Sequence, residues 1–390
     1  MQSIAILGRQ PALGLAELES LFGAEKIHPL HGGGALLDIS AGAVPFARLG
    51  GVIKLGTVLT ILDTTDWFEI EKFLLPACKE HSQYVPEGKL TIGLSVYGLR
   101  VSTKMLERTS LSIKKTIKTT GRPVRIVPNK TLEISTPQIL HNKLTHENGW
   151  ELVFYRDGSK TIVARTNFVQ DIESYTARDQ ARPMRDSRVG MLPPKLAQII
   201  INLASSNTSP ETVLDPFCGT GVVLQEASLM GMNAYGTDIE PRMVDYSIAN
   251  LKWIREKWRI DNYVRIEVGD ATNHQWKFEE GTVVACEGYL GLPFAHLPSD
   301  KQLQESVQAS NTVMKAFLKN LSTQAGSGLR AAIAMPAWHV NKKIIHLPCL
   351  AQIEAFGWQR VNFKHVNFDD LIYHREDQIV GRELVVLEKI

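Results

Sequence analysis

Apolar positions change period several times along the chain. Residues 2–7 and 34–39 are short apolar runs that read as strands, and between them Leu13, Ala16, Leu18 and Leu21 recur at helical spacing within Pro11–Phe22. A strand-rich stretch starts at Lys89. An apolar strand over 90–96 leads into a helix over 102–119, a short strand over 124–127 and a helical stretch over 136–143. Two strands follow, over 151–155 and 160–166, joined by the hairpin signal Asp157-Gly158.

After residue 190 the text alternates buried-type strand with amphipathic helix. Pro194 suits the first turn of a helix whose stripe is Leu196, Ile199, Ile200 and Leu203. Strands over 212–215, 233–237, 264–268 and 282–286 are separated by helices over 222–230 and 241–258. Such alternation predicts a parallel sheet with ligands at the carboxyl ends of its strands. The expected organisation is an N-terminal module over 1–60, a second α+β module over 61–168, a linker over 169–190 that is Arg-rich and broken by Pro183, and an α/β domain over 191–390.

Composition adds a constraint. With 390 residues, 44% hydrophobic, there is material for two or three cores, and disorder, collagen and mini-protein scaffolds are excluded. Lys+Arg 43 against Asp+Glu 41 gives a net charge of only +2, so a polyanion must be held by a local cluster. Arg100, Lys104, Arg108, Lys114, Lys115, Lys118, Arg122, Arg125 and Lys130 form one, interrupted by the single acid Glu107. Lys104, Arg108, Lys115 and Lys118 share a helical face, with Met105, Leu106, Ile113 and Ile117 expected inward. A solvated face is the plain alternative; the local excess favours a phosphate backbone. Arg182 and Arg185 in the linker add to the expected phosphate contacts. Cys78, Cys218, Cys286 and Cys349 form no Cys-x-x-Cys pair, the histidines show no ligand spacing, and no run reaches the roughly 20 apolar residues of a membrane span. A cytoplasmic protein with no metal and no membrane is expected.

The chemistry gathers at the strand ends. Asp215-Pro-Phe-Cys-Gly-Thr-Gly221 follows one strand, Asp238 ends the next, and Gly269-Asp270 ends the one after. Gly219 and Gly221 permit a sharp turn and close approach to a ligand, Asp238 is placed to accept from ribose hydroxyls, and Asp270 from an adenine amine. The loop lacks the third glycine of a dinucleotide fold, which argues against NAD.

This constellation resembles the class I S-adenosylmethionine methyltransferases. Arg178-Asp-Gln-Ala-Arg-Pro-Met-Arg-Asp186, Gly190-Met-Leu-Pro-Pro-Lys-Leu-Ala197, the opening Leu7-Gly-Arg-Gln-Pro11 and Leu15-Ala-Glu-Leu-Glu19, and the closing Val380-Gly-Arg-Glu-Leu384 are similar to the THUMP-domain tRNA guanosine N2-methyltransferases that act on guanosine 10. The resemblance implies ferredoxin-like and THUMP modules that grip tRNA, followed by a Rossmann-like catalytic domain with a mostly parallel seven-stranded sheet. It implies S-adenosylmethionine held by Pro194, Asp215, Phe217, Gly219, Gly221, Asp238, Ile239, Asp270 and Ala271. The expected partner is tRNA, bound by a monomer unless a small activator subunit is needed.

One motif departs from that family. Where it carries Asp-Pro-Pro-Tyr, this chain has Glu287-Gly-Tyr-Leu-Gly-Leu-Pro293. An exocyclic amine is a poor nucleophile, and a carboxylate accepting its N–H aims its lone pair while an aromatic ring stacks on the base. Glu287 and Tyr289 are the candidates for these roles. Retention of both an acid and an aromatic favours an active N2-methyltransferase; a tRNA-binding paralogue without chemistry and a retargeted enzyme using Cys286 as nucleophile stand beside it. Phe294 and Trp338 are candidate pocket residues with core packing as the plain reading.

Overall fold

The computed structural model describes residues 1–186, 191–206, 211–291, 294, 296–341, 343–376 and 378–390. Arg188 and Gly190 of the expected linker and loop motif, and Pro293, lie outside these. The chain divides into two compact units, one formed by 1–11, 25–47 and 52–172 and the other by 12–24, 48–51 and 173–390.

The first unit is built on one eight-stranded sheet among the described residues. Its strands are β1 Ser3–Leu7, β2 Ile27–Leu30, β3 Gly34–Leu37, β4 Val52–Leu62, β5 Leu90–Tyr97, β6 Val124–Ile126, β7 Gly149–Asp157 and β8 Lys160–Val169, in spatial order β2-β3-β1-β4-β8-β7-β5-β6. The expected modules over 1–60 and 61–168 therefore share a sheet, joined where β4 pairs antiparallel with β8. Pro29 sits in β2 at the sheet edge, where its missing N–H costs no ladder bond. The β4 strand and the helix Trp67–His81 had no clear sequence signal: the one carries Lys54 and the other Pro76. Lys54 is 3% exposed, and its ammonium donates to Glu151 Oε1 at 2.6 Å and to the Ile134 carbonyl at 2.8 Å, so the charge is satisfied inside the core.

The α-helices described in this half of the chain are α1 Pro11–Phe22, α2 Trp67–His81, α3 Thr103–Lys118 and α4 Thr136–His141. Helix α3 is capped by Ser102 Oγ, which accepts from Met105 N, and it buries Leu106, Thr109, Ser110, Ile113 and Ile117. Met105, expected inward, is 43% exposed, because it lies a quarter-turn from that stripe. Helix α1, although early in sequence, falls in the second unit from Ala12 onward.

The second unit contains α5 Ile172–Gln180 from Glu173 onward, α6 Pro194–Ala204, α7 Val222–Leu229, α8 Pro241–Trp258 and α9 Asp300–Gln324. Its strands are β9 Thr212–Asp215, β10 Asn233–Asp238, β11 Val264–Val268, β12 Thr282–Glu287, β13 Arg330–Val340, β14 Lys343–Ile345, β15 Trp358–Arg360, β16 Ile372–Tyr373 and β17 Val380–Lys389. The main path is seven strands, β11-β10-β9-β12-β13-β17-β15, with β14 and β16 pairing off it. Strands β11 to β13 are parallel and β17 runs against them. This is the parallel sheet expected from the alternation of strand and helix, and the mostly parallel seven-stranded arrangement that the resemblance implied. Side chains along β13 alternate between two cores: Ala332 and Ala334 join one with Leu196 and Leu224, Ile333 and Met335 the other with Phe317 and Leu321. Both faces are covered, which is why these strands read as continuous apolar runs. The expected linker is ordered in part as α5 and is pinned by Arg178 Nε to Glu226 Oε1 at 2.9 Å.

Candidate functional site

Three carboxylates end three neighbouring strands: Asp238 on β10, Asp215 on β9 and Glu287 on β12. Asp215 is 2% exposed and accepts from Phe217 N at 3.1 Å; burial, and after it the charges of Asp238 and Glu287, push its carboxyl well above the usual range. Asp238 accepts from Gly219 N at 2.9 Å with one oxygen and from Glu240 N at 3.0 Å with the other. Burial raises its carboxyl too, and those two N–H groups hold it back.

The glycine loop has the conformation its sequence requires. Gly219 and Gly221 have φ of +50° and +81°, the left-handed region that side chains other than glycine seldom adopt. Gly221 caps α7, and a β-carbon there would lie 2.6 Å from Ser247 Oγ. At Gly219 the nearest chain atom to such a carbon is Phe217 O at 3.9 Å, so the loop faces open space.

Two residues of α8 that sequence reasoning missed hold this loop. Ser247 Oγ donates to Gly219 O at 3.0 Å, and Asn250 Nδ2 donates to Thr220 O and to Met184 O, both at 2.9 Å, while its Oδ1 accepts from Met184 N at 2.9 Å. Both side chains are fully buried among Met243, Val244, Leu251 and Ile254. Two polar residues in an otherwise apolar helical stripe were the available signal.

The remaining expected cofactor residues are placed unevenly. Ile239, directly after Asp238, is 60% exposed, a bare apolar face beside that acid. Phe217 packs edge to face on Phe317 at 4.9 Å. Asp270 lies just past β11 and caps its own turn, its Oδ1 accepting from Thr272 N at 2.9 Å and Thr272 Oγ1 at 2.7 Å. Ala271 and Pro194 are buried, the latter in the first turn of α6.

At the end of β12, Glu287 forms an ion pair with Arg382 of β17, whose Nε donates to Oε1. Burial pushes the Glu287 carboxyl up, and Arg382 pulls it part of the way back. Arg382 was not singled out from sequence, since its partner lies 95 residues away. Tyr289 is 38% exposed, two residues beyond the acid. Cys286 is fully buried with its thiol pushed well above its ordinary value, so it is a packed side chain and not a nucleophile. Trp338 is likewise fully buried in the core, while Phe294 is half-buried at its margin. Trp253 and Trp258 pack against each other at 5.5 Å.

The basic candidates divide. Arg100, Lys104, Arg108, Lys115 and Lys118 are exposed and Lys114 is half-buried. Lys104, Arg108, Lys115 and Lys118 lie on the side of α3 opposite its buried stripe, with the exposed Leu111 among them. Arg122 is different: its guanidinium donates to Ser82 O at 2.6 Å, Val85 O at 3.0 Å, Asn148 Oδ1 at 3.1 Å and Pro86 O, so it clamps a turn and has little left for phosphate. Arg182 is 3% exposed and bonded to Met191 Sδ at 3.1 Å, which removes it from the surface; Arg185 is exposed. The described residues contain no cluster of His, Cys, Asp and Glu able to hold a metal, and no helix long and apolar enough to cross a membrane.

A family model described as DNA methylase matches residues 138–250. The tRNA (guanine(10)-N2)-dimethyltransferase of Pyrococcus abyssi is 39% identical over 99 residues, 25% of this chain and 28% of that protein. Its namesake from Methanothermobacter thermautotrophicus is 33% identical over 138 residues, 32% and 38% of the two chains. That of Methanocaldococcus jannaschii is 30% identical over 162 residues, 42% and 41%. The chain thus spans between 28% and 41% of the length of these three relatives. In three dimensions it is similar to TrmN from Thermus thermophilus, with a TM-score of 0.53 at 15% identity over all of both chains. It is also similar to SMU.472 complexed with SAH, with a TM-score of 0.50 at 13% identity over 100% of this chain and 97% of that one. The fold is that of the class I methyltransferases, and the sequence resemblance to the tRNA guanosine N2-methyltransferases holds over these segments.

Proposed function

We propose that the protein transfers methyl groups from S-adenosylmethionine to the N2 amine of a guanosine in tRNA, in the region of position 10. The observation that supports this reading most is the set Asp215, Asp238 and Glu287 around an open glycine loop at the ends of three adjacent strands. The relatives named as tRNA (guanine(10)-N2)-dimethyltransferases support the substrate.

The residues fit the cofactor. Asp215 and Asp238 are raised by burial and by neighbouring negative charge, and the cationic centre of S-adenosylmethionine relieves that repulsion. Each oxygen of Asp238 has spent one lone pair on a backbone N–H, leaving capacity for two ribose hydroxyls. Ile239 offers an apolar face to the adenine ring, and Phe217 and Ala271 line the same strand ends. Bound there, the cofactor supplies an electrophilic methyl group.

The chain's own residues prepare the amine. Glu287 accepts an N–H of the target through Oε2, since Oε1 is held by Arg382. Withdrawing an N–H this way favours a pyramidal nitrogen with its lone pair directed at the methyl. Tyr289, half out of the surface, stacks on the base. No base with a shifted pKa is needed, because the proton leaves after the transfer. The first unit holds the tRNA through the exposed basic face of α3, in the manner of an RNA-binding module, and tRNA as the partner together with four free cysteines supports action in the cytoplasm.

Incubation with labelled S-adenosylmethionine and an unmodified tRNA transcript tests the proposal. Label entering the RNA is expected. Absence of label with tRNA affinity intact would identify a binding protein without chemistry.

A further inference from the structure

The ion pair at the end of β12 is only half used by the fold. Arg382 Nε donates to Glu287 Oε1, which leaves Glu287 Oε2 and both terminal guanidinium nitrogens without a hydrogen-bond partner among the described residues. The two side chains keep 8% and 17% of their surface exposed. A donor and an acceptor therefore stand side by side, held by strands β17 and β12.

A carboxylate alone accepts N–H from the amine of guanine, adenine or cytosine alike. A guanidinium beside it makes the site discriminate. We propose that Arg382 and Glu287 together read the Watson–Crick edge of the target base and select guanine. Along that edge guanine presents an acceptor, O6, followed by two donors, N1–H and N2–H. A terminal nitrogen of Arg382 matches O6, and the free Oε2 of Glu287 accepts from both N1–H and N2–H, the last contact being the one that aims the amine. Adenine offers an amine donor where O6 would be and a ring-nitrogen acceptor where N1–H would be, and cytosine does the same with N4 and N3. Both contacts then become donor against donor and acceptor against acceptor.

This inference rests on the guanosine N2 reading, and its test separates the two. Transcripts carrying guanosine or 2,6-diaminopurine at the target both keep the N2 amine, but the second replaces O6 by an amine and N1–H by a bare nitrogen. The native protein is expected to favour guanosine in kcat/KM by at least about a hundredfold, the product of two lost contacts. Arg382→Met is expected to lower kcat/KM on both substrates, because Glu287 loses its partner, and on guanosine by about tenfold more than on diaminopurine, so the ratio falls. A merely structural arginine would lower both substrates by the same factor, and that result overturns the proposal. Should Arg382→Met fail to fold, Arg382→Lys, which keeps the charge and loses the planar fork, decides the matter: a reduced ratio supports the assignment and an unchanged ratio overturns it. If the native protein methylates both bases equally, this inference alone falls. If it does not methylate the guanosine transcript, the functional reading falls and takes this one with it.

Discussion

Replacing Gly221 by alanine should damage both the fold and the glycine loop proposed to hold the cofactor, and its cost can be worked from two separate causes. The first is conformational: φ is +81°, and a β-carbon in the left-handed region costs about 1–2 kcal/mol. The second is steric. The new carbon would sit 2.6 Å from Ser247 Oγ and 3.3 Å from Ser247 Cα, so the hydroxyl must move and surrender its bond to Gly219 O. A lost hydrogen bond with local crowding adds about 1–3 kcal/mol. Gly231 is the matched control, with φ of +82° and nothing within 4 Å of its would-be β-carbon. Gly231→Ala should therefore show only the conformational cost, and Gly221→Ala that cost plus the steric one. At about 2–4 °C per kcal/mol for a unit of this size, thermal denaturation separates them by several degrees. Calorimetric titration with S-adenosylmethionine should find affinity unchanged in Gly231→Ala and lost in Gly221→Ala. Equal melting points and equal affinities in the two variants would refute the reasoning.

Two further outcomes follow from the electrostatics. Glu17 is fully buried, accepts from Gly50 N, Gly51 N and Asn202 Nδ2, and has its carboxyl pushed up to about 7 by burial, from 4.5. The folded state therefore keeps this proton longer than the unfolded chain, so stability falls as pH rises from 4.5 to 7, by up to about 3 kcal/mol. Melting temperature against pH should show that decline, and Glu17→Gln should flatten it even while lowering stability throughout; an unchanged slope would remove Glu17 as its source. On α3, changing Lys104, Arg108 and Lys115 together to alanine should weaken tRNA binding and lower the slope of log affinity against log salt by about 2–3, without changing the melting temperature. Arg122→Ala should do the opposite, because that guanidinium clamps a turn. A salt slope untouched by the triple change would return the α3 face to ordinary solvated surface.

What sequence could and could not reveal follows from how local each signal is. Asp215, Gly219, Gly221 and Asp238 are read from spacing because strand, loop and strand are contiguous, and the structure brings Gly219 N into a hydrogen bond with Asp238. The same locality made charge misleading. Arg122 and Arg182 counted as phosphate ligands when only their sign was visible, yet one spends its guanidinium on carbonyls and the other lies buried beside Asp179 and Met191. Long-range pairing was out of reach: Arg382 meets Glu287 across 95 residues, and β4 meets β8 across about a hundred. Helix α9 did leave a local mark, the capping box Ser299 with Gln302, which announces a start even where the stripe behind it is diluted by polar residues. The domain limits were blurred for a topological reason, since 12–24 and 48–51 belong to the second unit while the strands around them belong to the first.

The central claim is that this chain places a methyl group on the N2 amine of a tRNA guanosine. The most direct test is mass spectrometry of nucleosides from an unmodified tRNA transcript treated with the purified protein and isotopically labelled S-adenosylmethionine. The account predicts labelled N2-methylated guanosine, located by nuclease mapping in the region of position 10, with no label on adenosine or cytidine. Label on an adenine or cytosine amine, or on a pyrimidine carbon, would contradict it.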